Sequence, residues 1–201
     1  MDTSGGDPLP IDDVNILVTF YSRGGLTERI AVWLAEGAVQ AGAKIRLRRA
    51  RDIAAEEAIL ADPEWAANRD RMHEEFAAPT EADAEWAHVL AFGVPVSGGS
   101  NGANGLMSAE LGAYLDRFSP GALRGKIGTG FTSSYVADAN PQSALTALQR
   151  AMDGLGLTVF APSREMSSSS LKDWDLAHAQ GHQVVATARA GNREDSGSDS
   201  N

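Results

Sequence analysis

The chain has 201 residues, of which 17 are Lys or Arg and 27 are Asp or Glu, so its formal net charge is −10 at pH 7. Hydrophobic residues make up 43% and charged residues 22%, a composition typical of a globular domain that folds around its own core. An acidic surface repels phosphate backbones, which argues against nucleic-acid binding, and no apolar run approaches the roughly 20 residues of a membrane helix.

The sequence contains no cysteine. This excludes disulfides, thiolate catalysis, iron–sulfur clusters and cysteine-based zinc sites, and it fits a reducing compartment. Residues 1–12 and 190–201 are mostly small, polar or acidic, so we expect a disordered tail at each end. The N-terminal segment lacks the basic and apolar regions of a secretory signal, and a cytoplasmic protein is therefore expected.

Strand and helix patterns alternate along the rest of the chain. The predicted strands are Val14–Phe20, Lys44–Arg49, Ala87–Val96, Lys126–Ser133 and Leu157–Phe160. The predicted helices are Leu26–Ala41, Leu106–Phe118, Gln142–Leu155 and Leu171–Ala190. This alternation predicts a single α/β domain over residues 13–189, with a five-stranded parallel sheet and helices on both faces.

An acidic segment, residues 51–86, interrupts the alternation where the second crossover belongs. It contains 11 acidic and 3 basic residues, a net charge of −8, so most of the chain's excess charge is local. Its Ala and Glu content permits short helices. We expect a solvated excursion over the sheet, away from the loops that could bind a ligand, with Trp65 and Trp86 used mainly for packing.

Three loops rich in Gly, Ser, Thr and Asn follow predicted strands. They are Ser22–Thr27, Val96–Gly105 and Thr132–Asn140. Open parallel sheets bind ligands outside the carboxyl ends of their strands, so these loops define the expected site.

The first of these loops is the most informative. Ser22 and Thr27 supply hydroxyls, and two glycines let the backbone approach a ligand closely. The helix that follows presents backbone N–H groups at the positive end of its dipole, which suits a terminal phosphate. A plain strand-to-helix turn is the alternative, since such turns favour the same residues.

Several known motifs are absent or incomplete. The segment Gly121–Lys126 resembles a P-loop but is one residue short, and Ile127 replaces the required Ser or Thr. No G-x-G-x-x-G follows the first strand, and Ser97 lacks the glycine of a nucleophile elbow. His178 and His182 have a spacing that can bind zinc, although surface or interface histidines show the same spacing. No metal site is therefore predicted.

Four stretches carry the features of one known family. Ile16–Ala31 is similar to that family's first strand, phosphate loop and helix start, and Phe92–Pro95 ends a strand with Gly-x-Pro. Tyr114–Ser134 contains Leu-Asp, then GALRGK, then a strand ending in Thr and Ser, and Asp175–Ala188 contains Ala-x-x-Gln-Gly. Over residues 14–188 the chain thus resembles the flavodoxin-like superfamily and, within it, the WrbA-type FMN-dependent NAD(P)H:quinone oxidoreductases.

The resemblance implies a sheet of order 2-1-3-4-5 and an FMN site built from three loops. The phosphate would be held by Ser22, Arg23, Gly24, Gly25, Leu26 and Thr27. The flavin ring would be contacted by Pro95, Val96, Ser97 and Gly98 on one side, and by Ser133, Ser134, Tyr135, Val136, Ala137 and Asp138 on the other. No catalytic side chain is implied, because the flavin carries the chemistry.

The resemblance further implies NADH or NADPH as co-substrate, a quinone or similar small acceptor, and a homodimer or homotetramer. This chain departs from the family pattern at Gly24, which replaces an aromatic residue, and in its shorter segments 117–121 and 161–170. Arg23 could reach the phosphate of FMN or of NADPH, or be a solvated surface cation. Two other functions stay open, namely an FMN electron carrier for protein partners and a flavodoxin-like domain that has lost FMN.

Overall fold

The computed structural model describes residues 13–96, 107–134, 141–160, 164–166 and 171–195. Its centre is a parallel sheet with the strands β1 (Asn15–Phe20), β2 (Lys44–Arg49), β3 (Val89–Val96), β4 (Ile127–Ser134), β5 (Thr158–Val159) and β6 (Arg164–Met166). The strand order β2-β1-β3-β4-β5 confirms the predicted five-stranded arrangement. The short strand β6, which the sequence did not predict, also pairs in parallel with β4 and therefore continues the edge that β5 begins.

The helices follow the predicted alternation. They are α1 (Leu26–Gln40), α2 (Glu56–Leu60), α3 (Pro63–Glu75), α4 (Glu81–Trp86), α5 (Ala109–Leu115), α6 (Pro141–Gly154) and α7 (Leu171–Asp195). The acidic segment thus forms three short helices, α2 to α4. Helix α7 continues to Asp195, so it includes residues 190–195 that the sequence assigned to the C-terminal tail. None of the helices within the described ranges is long and apolar enough to cross a membrane.

Both faces of the sheet are covered, and β1 shows why. Its residues alternate, with Ile16 and Val18 packing in the cluster that contains side chains of α1 and α7, and Leu17 in the cluster with α5 and α6. A strand buried on both faces is a near-continuous apolar run, as in this segment. The carboxyl end of β1 therefore emerges at the middle of the sheet edge, between the ends of β2 and β3.

Helices α1 and α7 pack with their backbones in close contact. The contact depends on two glycines, because a Cβ at Gly37 would lie 2.2 Å from the His178 carbonyl oxygen, and one at Gly181 would lie 2.3 Å from the Leu34 carbonyl oxygen. Real Cβ atoms do not approach backbone atoms this closely, so any side chain there would force the two helices apart. This packing holds α1, and with it the loop before α1, against the sheet.

We expect Gly37→Ala to lower the free energy of unfolding by about 3 kcal/mol through overpacking against the α7 backbone, measured by urea denaturation. Gly154→Ala is the matched control, because a Cβ there meets nothing within 4 Å and alanine is the better helix former. The control should leave stability unchanged or slightly raised. Equal effects of the two substitutions would contradict the close contact.

Candidate functional site

The first predicted loop lies between β1 and α1 at the carboxyl edge of the sheet. Gly25 is the N-cap of α1 and has a φ of 86°, a left-handed conformation that favours glycine. Its N–H donates to the Ser22 Oγ at 3.0 Å, which closes the loop on itself. Leu26 and Thr27, which end the predicted loop, are the first two residues of α1, as the predicted helix Leu26–Ala41 requires.

The start of α1 lacks the side-chain N-cap that three other helices have. Asp62, Thr80 and Ser108 cap α3, α4 and α5 with their side chains. The N-cap of α1 is a glycine and has no side chain to cap the first turn. The N–H groups of a first helical turn have no acceptor within the helix, so this end of α1 suits an external anion.

Two buried hydroxyls join this helix start to the end of β4. Thr27 Oγ1 lies 2.7 Å from Ser133 Oγ, and either oxygen can be the donor. The one hydrogen bond between them uses only one of their two protons, so the pair retains a proton for another acceptor. Ser22 is also buried, and the three hydroxyl-bearing residues therefore lie within the protein rather than on its surface.

The ends of β3 and β4 extend the same edge. Pro95 pairs with Ser133 and Val96 with Ser134, so the residues predicted to begin the second and third loops are neighbours in the sheet. The other predicted flavin contacts, Ser97, Gly98 and Tyr135–Asp138, lie outside the described residues. The structure thus brings together the first loop and the starts of the other two, and their binding roles remain predictions.

A buried ion pair that the sequence did not reveal supports the first loop. Nη2 of Arg49, at the end of β2, donates to Asp52 Oδ2 at 2.8 Å and to the Ser22 carbonyl oxygen at 3.1 Å. The other carboxylate oxygen of Asp52 accepts from the Tyr21 hydroxyl at 2.9 Å and from Trp65 Nε1 at 3.0 Å. Both members of the pair are buried, so this network fixes the carbonyl at which the loop begins.

The network has a defined charge state. Burial opposes ionisation of Asp52, but Arg49 and the hydrogen bonds that the carboxylate accepts hold its pKa below the usual range. Burial and the nearby carboxylates of Glu110 and Asp52 raise the pKa of the Tyr21 hydroxyl. At neutral pH Tyr21 is therefore a neutral donor to an ionised Asp52.

The acidic segment lies against the first loop, and the expectation that it lies away from the ligand loops is wrong. Arg23 Nη2 bonds Asp62 Oδ2 at 3.0 Å, and its guanidinium lies 3.7 Å from the centre of the Trp65 ring. Arg71 of α3 pairs with Glu28 in the first turn of α1. Arg23 is half exposed but held by these contacts, so it is not a freely solvated cation. Trp65 is buried, as its predicted packing role requires.

The histidines singled out in the sequence lie on α7. The His178 ring stacks on Trp174 with 4.6 Å between centroids, and the His182 ring lies 5.4 Å from that of His178. Within the described ranges, no group of three His, Cys, Asp or Glu residues is arranged to hold a metal ion. These rings therefore form an aromatic row on the helix.

Comparisons with known proteins were made at the level of sequence and of fold. No family model matches the chain. A protein of Deinococcus radiodurans named NAD(P)H dehydrogenase (quinone) is 30% identical over 135 residues, which cover 67% of this chain and 66% of that protein, just under two thirds of its length. A protein of the same name from Methylocella silvestris is 28% identical over 148 residues, covering 72% of this chain and 68% of its own.

Solved structures share the fold. A flavodoxin from the domain Archaea superposes with a TM-score of 0.62 at 15% identity, covering 88% of this chain and 99% of its own. A flavodoxin, WrbA-like protein from Agrobacterium tumefaciens superposes with a TM-score of 0.61 at 21% identity, covering 88% of this chain and 98% of its own. These superpositions show the fold, and together with the related sequences they support a resemblance to the flavodoxin-like, WrbA-type family.

The dependence of stability on pH tests the charge state of the Arg49–Asp52 pair. A carboxyl whose pKa is lowered by folding stabilises the protein above its unfolded pKa, near 3.8, and this contribution is lost as the pH falls through the folded pKa. We expect Asp52→Asn to cost about 3 kcal/mol at pH 7, since it leaves Arg49 buried without its counter-ion. The free energy of unfolding of the variant should also fall less steeply than that of the wild type below about pH 4.

Asp13→Asn is the matched control, because Asp13 pairs with Lys44 at an exposed position where an ion pair contributes little. Stability would be followed by urea denaturation at a series of pH values. Parallel curves for Asp52→Asn and the wild type would contradict the assigned charge state.

Proposed function

We propose that the chain binds FMN at this edge of the sheet and transfers two electrons from NADH or NADPH to a quinone or similar small acceptor. The observation that carries the proposal is the convergence of the buried hydroxyls of Ser22, Thr27 and Ser133 on the start of α1, where no N-cap side chain is present. The relatives named NAD(P)H dehydrogenase (quinone) support the same activity.

The donors at the start of α1 suit the phosphate of FMN. Backbone N–H groups and the positive end of the helix dipole favour a dianion. Ser22 Oγ accepts the Gly25 N–H and keeps its own proton for a phosphate oxygen, and the Thr27–Ser133 pair keeps another. In this proposal Arg23, Gly24 and Leu26 complete the phosphate loop.

The flavin ring would lie against the ends of β3 and β4. Pro95, Val96, Ser97 and Gly98 would contact one side, and Ser133, Ser134 and residues 135–138 would line the other. FMN, when bound, supplies the hydride chemistry. The chain's own part is to hold the phosphate with fixed dipoles and to keep the loop in place through Arg49 and Asp52. Pre-organised dipoles need no reorganisation when the anion binds.

The proposal extends to a cytoplasmic location, a homodimer or homotetramer, and a single domain over residues 13–189. These parts depend on the sequence expectations alone.

A second candidate function is the electron carrier for protein partners. The surface charge of the acidic segment favours it, because an acidic surface suits docking to a basic redox protein.

The visible spectrum of the purified protein, recorded anaerobically before and after NADH or NADPH is added, tests the proposal. We expect flavin absorbance, from FMN carried through purification or added afterwards, and its loss when either nicotinamide is added. Bound flavin that neither nicotinamide reduces would favour the electron carrier. A colourless protein that takes up no added FMN would overturn the proposal.

The Thr27–Ser133 contact gives a residue-level test of FMN binding. We expect Thr27→Val to weaken FMN binding about tenfold, because it removes a buried hydroxyl at the phosphate end of the site. The dissociation constant would be measured by quenching of flavin fluorescence. In the control Thr146→Val the lost hydroxyl donates to the carbonyl of Gln142 on α6. Equal losses of affinity in both variants would contradict the placement of the phosphate.

A further inference from the structure

A carboxylate lies beside the loop at which the proposed function places a phosphate. A Cβ built on Gly25 would lie 3.6 Å from Glu28 Oε2 and 4.0 Å from Arg71 Nη2, so both charged groups flank the N-cap of α1. Glu28 is buried, which limits the screening of its charge by water. Alone, this carboxylate would repel a phosphate bound at the same helix end.

Arg71 occupies both oxygens of that carboxylate. Its Nη1 donates to Glu28 Oε1 at 2.7 Å and its Nη2 to Oε2 at 2.5 Å, and Nη1 also reaches Glu75 Oε2 at 2.7 Å. A bidentate pair of this kind combines charge neutralisation with a fixed geometry. Arg71 belongs to α3, so the acidic segment itself delivers the cation that offsets Glu28.

The pairing also determines which groups cap α1. A Glu at the third helical position commonly turns back to accept the N-cap N–H. Here the two oxygens of Glu28 face Arg71, and the Gly25 N–H is bonded by Ser22 Oγ instead. The carboxylate is thereby held away from the donors that a phosphate would use.

We infer that Arg71 determines the specificity of this site for a phosphorylated flavin, by neutralising Glu28 and holding it off the start of α1. The inference rests on the proposed function, because it assigns a residue to the phosphate end of the same site. Arg71 is a positioning residue here, since it acts through Glu28.

The test compares FMN with riboflavin, which has the same ring and side chain but no phosphate. We expect Arg71→Gln to weaken FMN binding about tenfold, while riboflavin binding changes by less than about twofold, because only the phosphate meets the unpaired carboxylate. Glu28→Gln should bind FMN at least as tightly as the wild type. The double variant should return to within about threefold of the wild type, since the repelling charge is gone.

Arg69→Gln is the matched control, because Arg69 lies on the same helix but bonds Glu56 and Asp70. It should leave both dissociation constants unchanged. Thermal denaturation of each variant checks folding. The double variant, which removes the Glu28 charge and leaves only the exposed Glu75 without its arginine, decides the question if Arg71→Gln does not fold.

Three results with the variants would overturn the inference: an unchanged FMN affinity in Arg71→Gln, equal losses for FMN and riboflavin, or a double variant as weak as Arg71→Gln. A wild type that binds riboflavin and FMN equally would do the same. A wild type that binds neither flavin would instead overturn the proposed function. The failures of the two proposals are therefore distinguishable.

Discussion

The buried pair of Arg49 and Asp52 is the interaction on which the candidate site depends. It joins the end of β2 to the Ser22 carbonyl at the end of β1, and through Trp65 it also joins the acidic segment to both strands. Two charges removed from water carry a large desolvation cost, which is offset only when the geometry is good and the remaining lone pairs are satisfied. The hydrogen bonds that Asp52 accepts from Tyr21 and Trp65 meet that condition for the carboxylate, whereas Nε and Nη1 of Arg49 are buried without a partner among the described residues. The loop is thus positioned by a network that loses much of its stability if one member is removed.

Local patterns were sufficient to predict the five main strands and the sheet edge at which the first loop meets the starts of the other two. Apolar runs at strand spacing gave the strands, because this feature depends on near neighbours in the chain. The strand order came instead from the family resemblance. The strand β6 could not be predicted from local patterns. It has three residues, and its pairing with β4 depends on the chain's return to the sheet after β5.

The burial of Arg49 shows a different limit of prediction from the sequence. In β2, Ile45 and Leu47 alternate with basic residues, which predicted a more exposed strand, yet alternation places Arg49 on the same side as those two apolar residues. That position was a signal that the sequence contained, but a buried arginine is plausible only when its counter-ion is known. Asp52 supplies that counter-ion, and Trp65 donates to Asp52 from the acidic segment, which the sequence treated as solvated. Contacts between polar side chains that lie far apart in the sequence do not leave a periodic pattern.

The net charge of the acidic segment is therefore a poor guide to the potential at the loop it covers. What a bound anion experiences is set by the charges within a few ångströms, since more distant exposed charges are screened by salt. Three carboxylates close to the loop are each paired with an arginine: Asp52 with Arg49, Asp62 with Arg23, and Glu28 with Arg71. All three arginines are close to the loop: Arg49 donates to the Ser22 carbonyl oxygen, Arg23 lies over Trp65, and Arg71 lies beside Gly25. An acidic segment can thus cover an anion site without opposing it, provided that each carboxylate at the contact is neutralised in place and the uncompensated charge faces solvent.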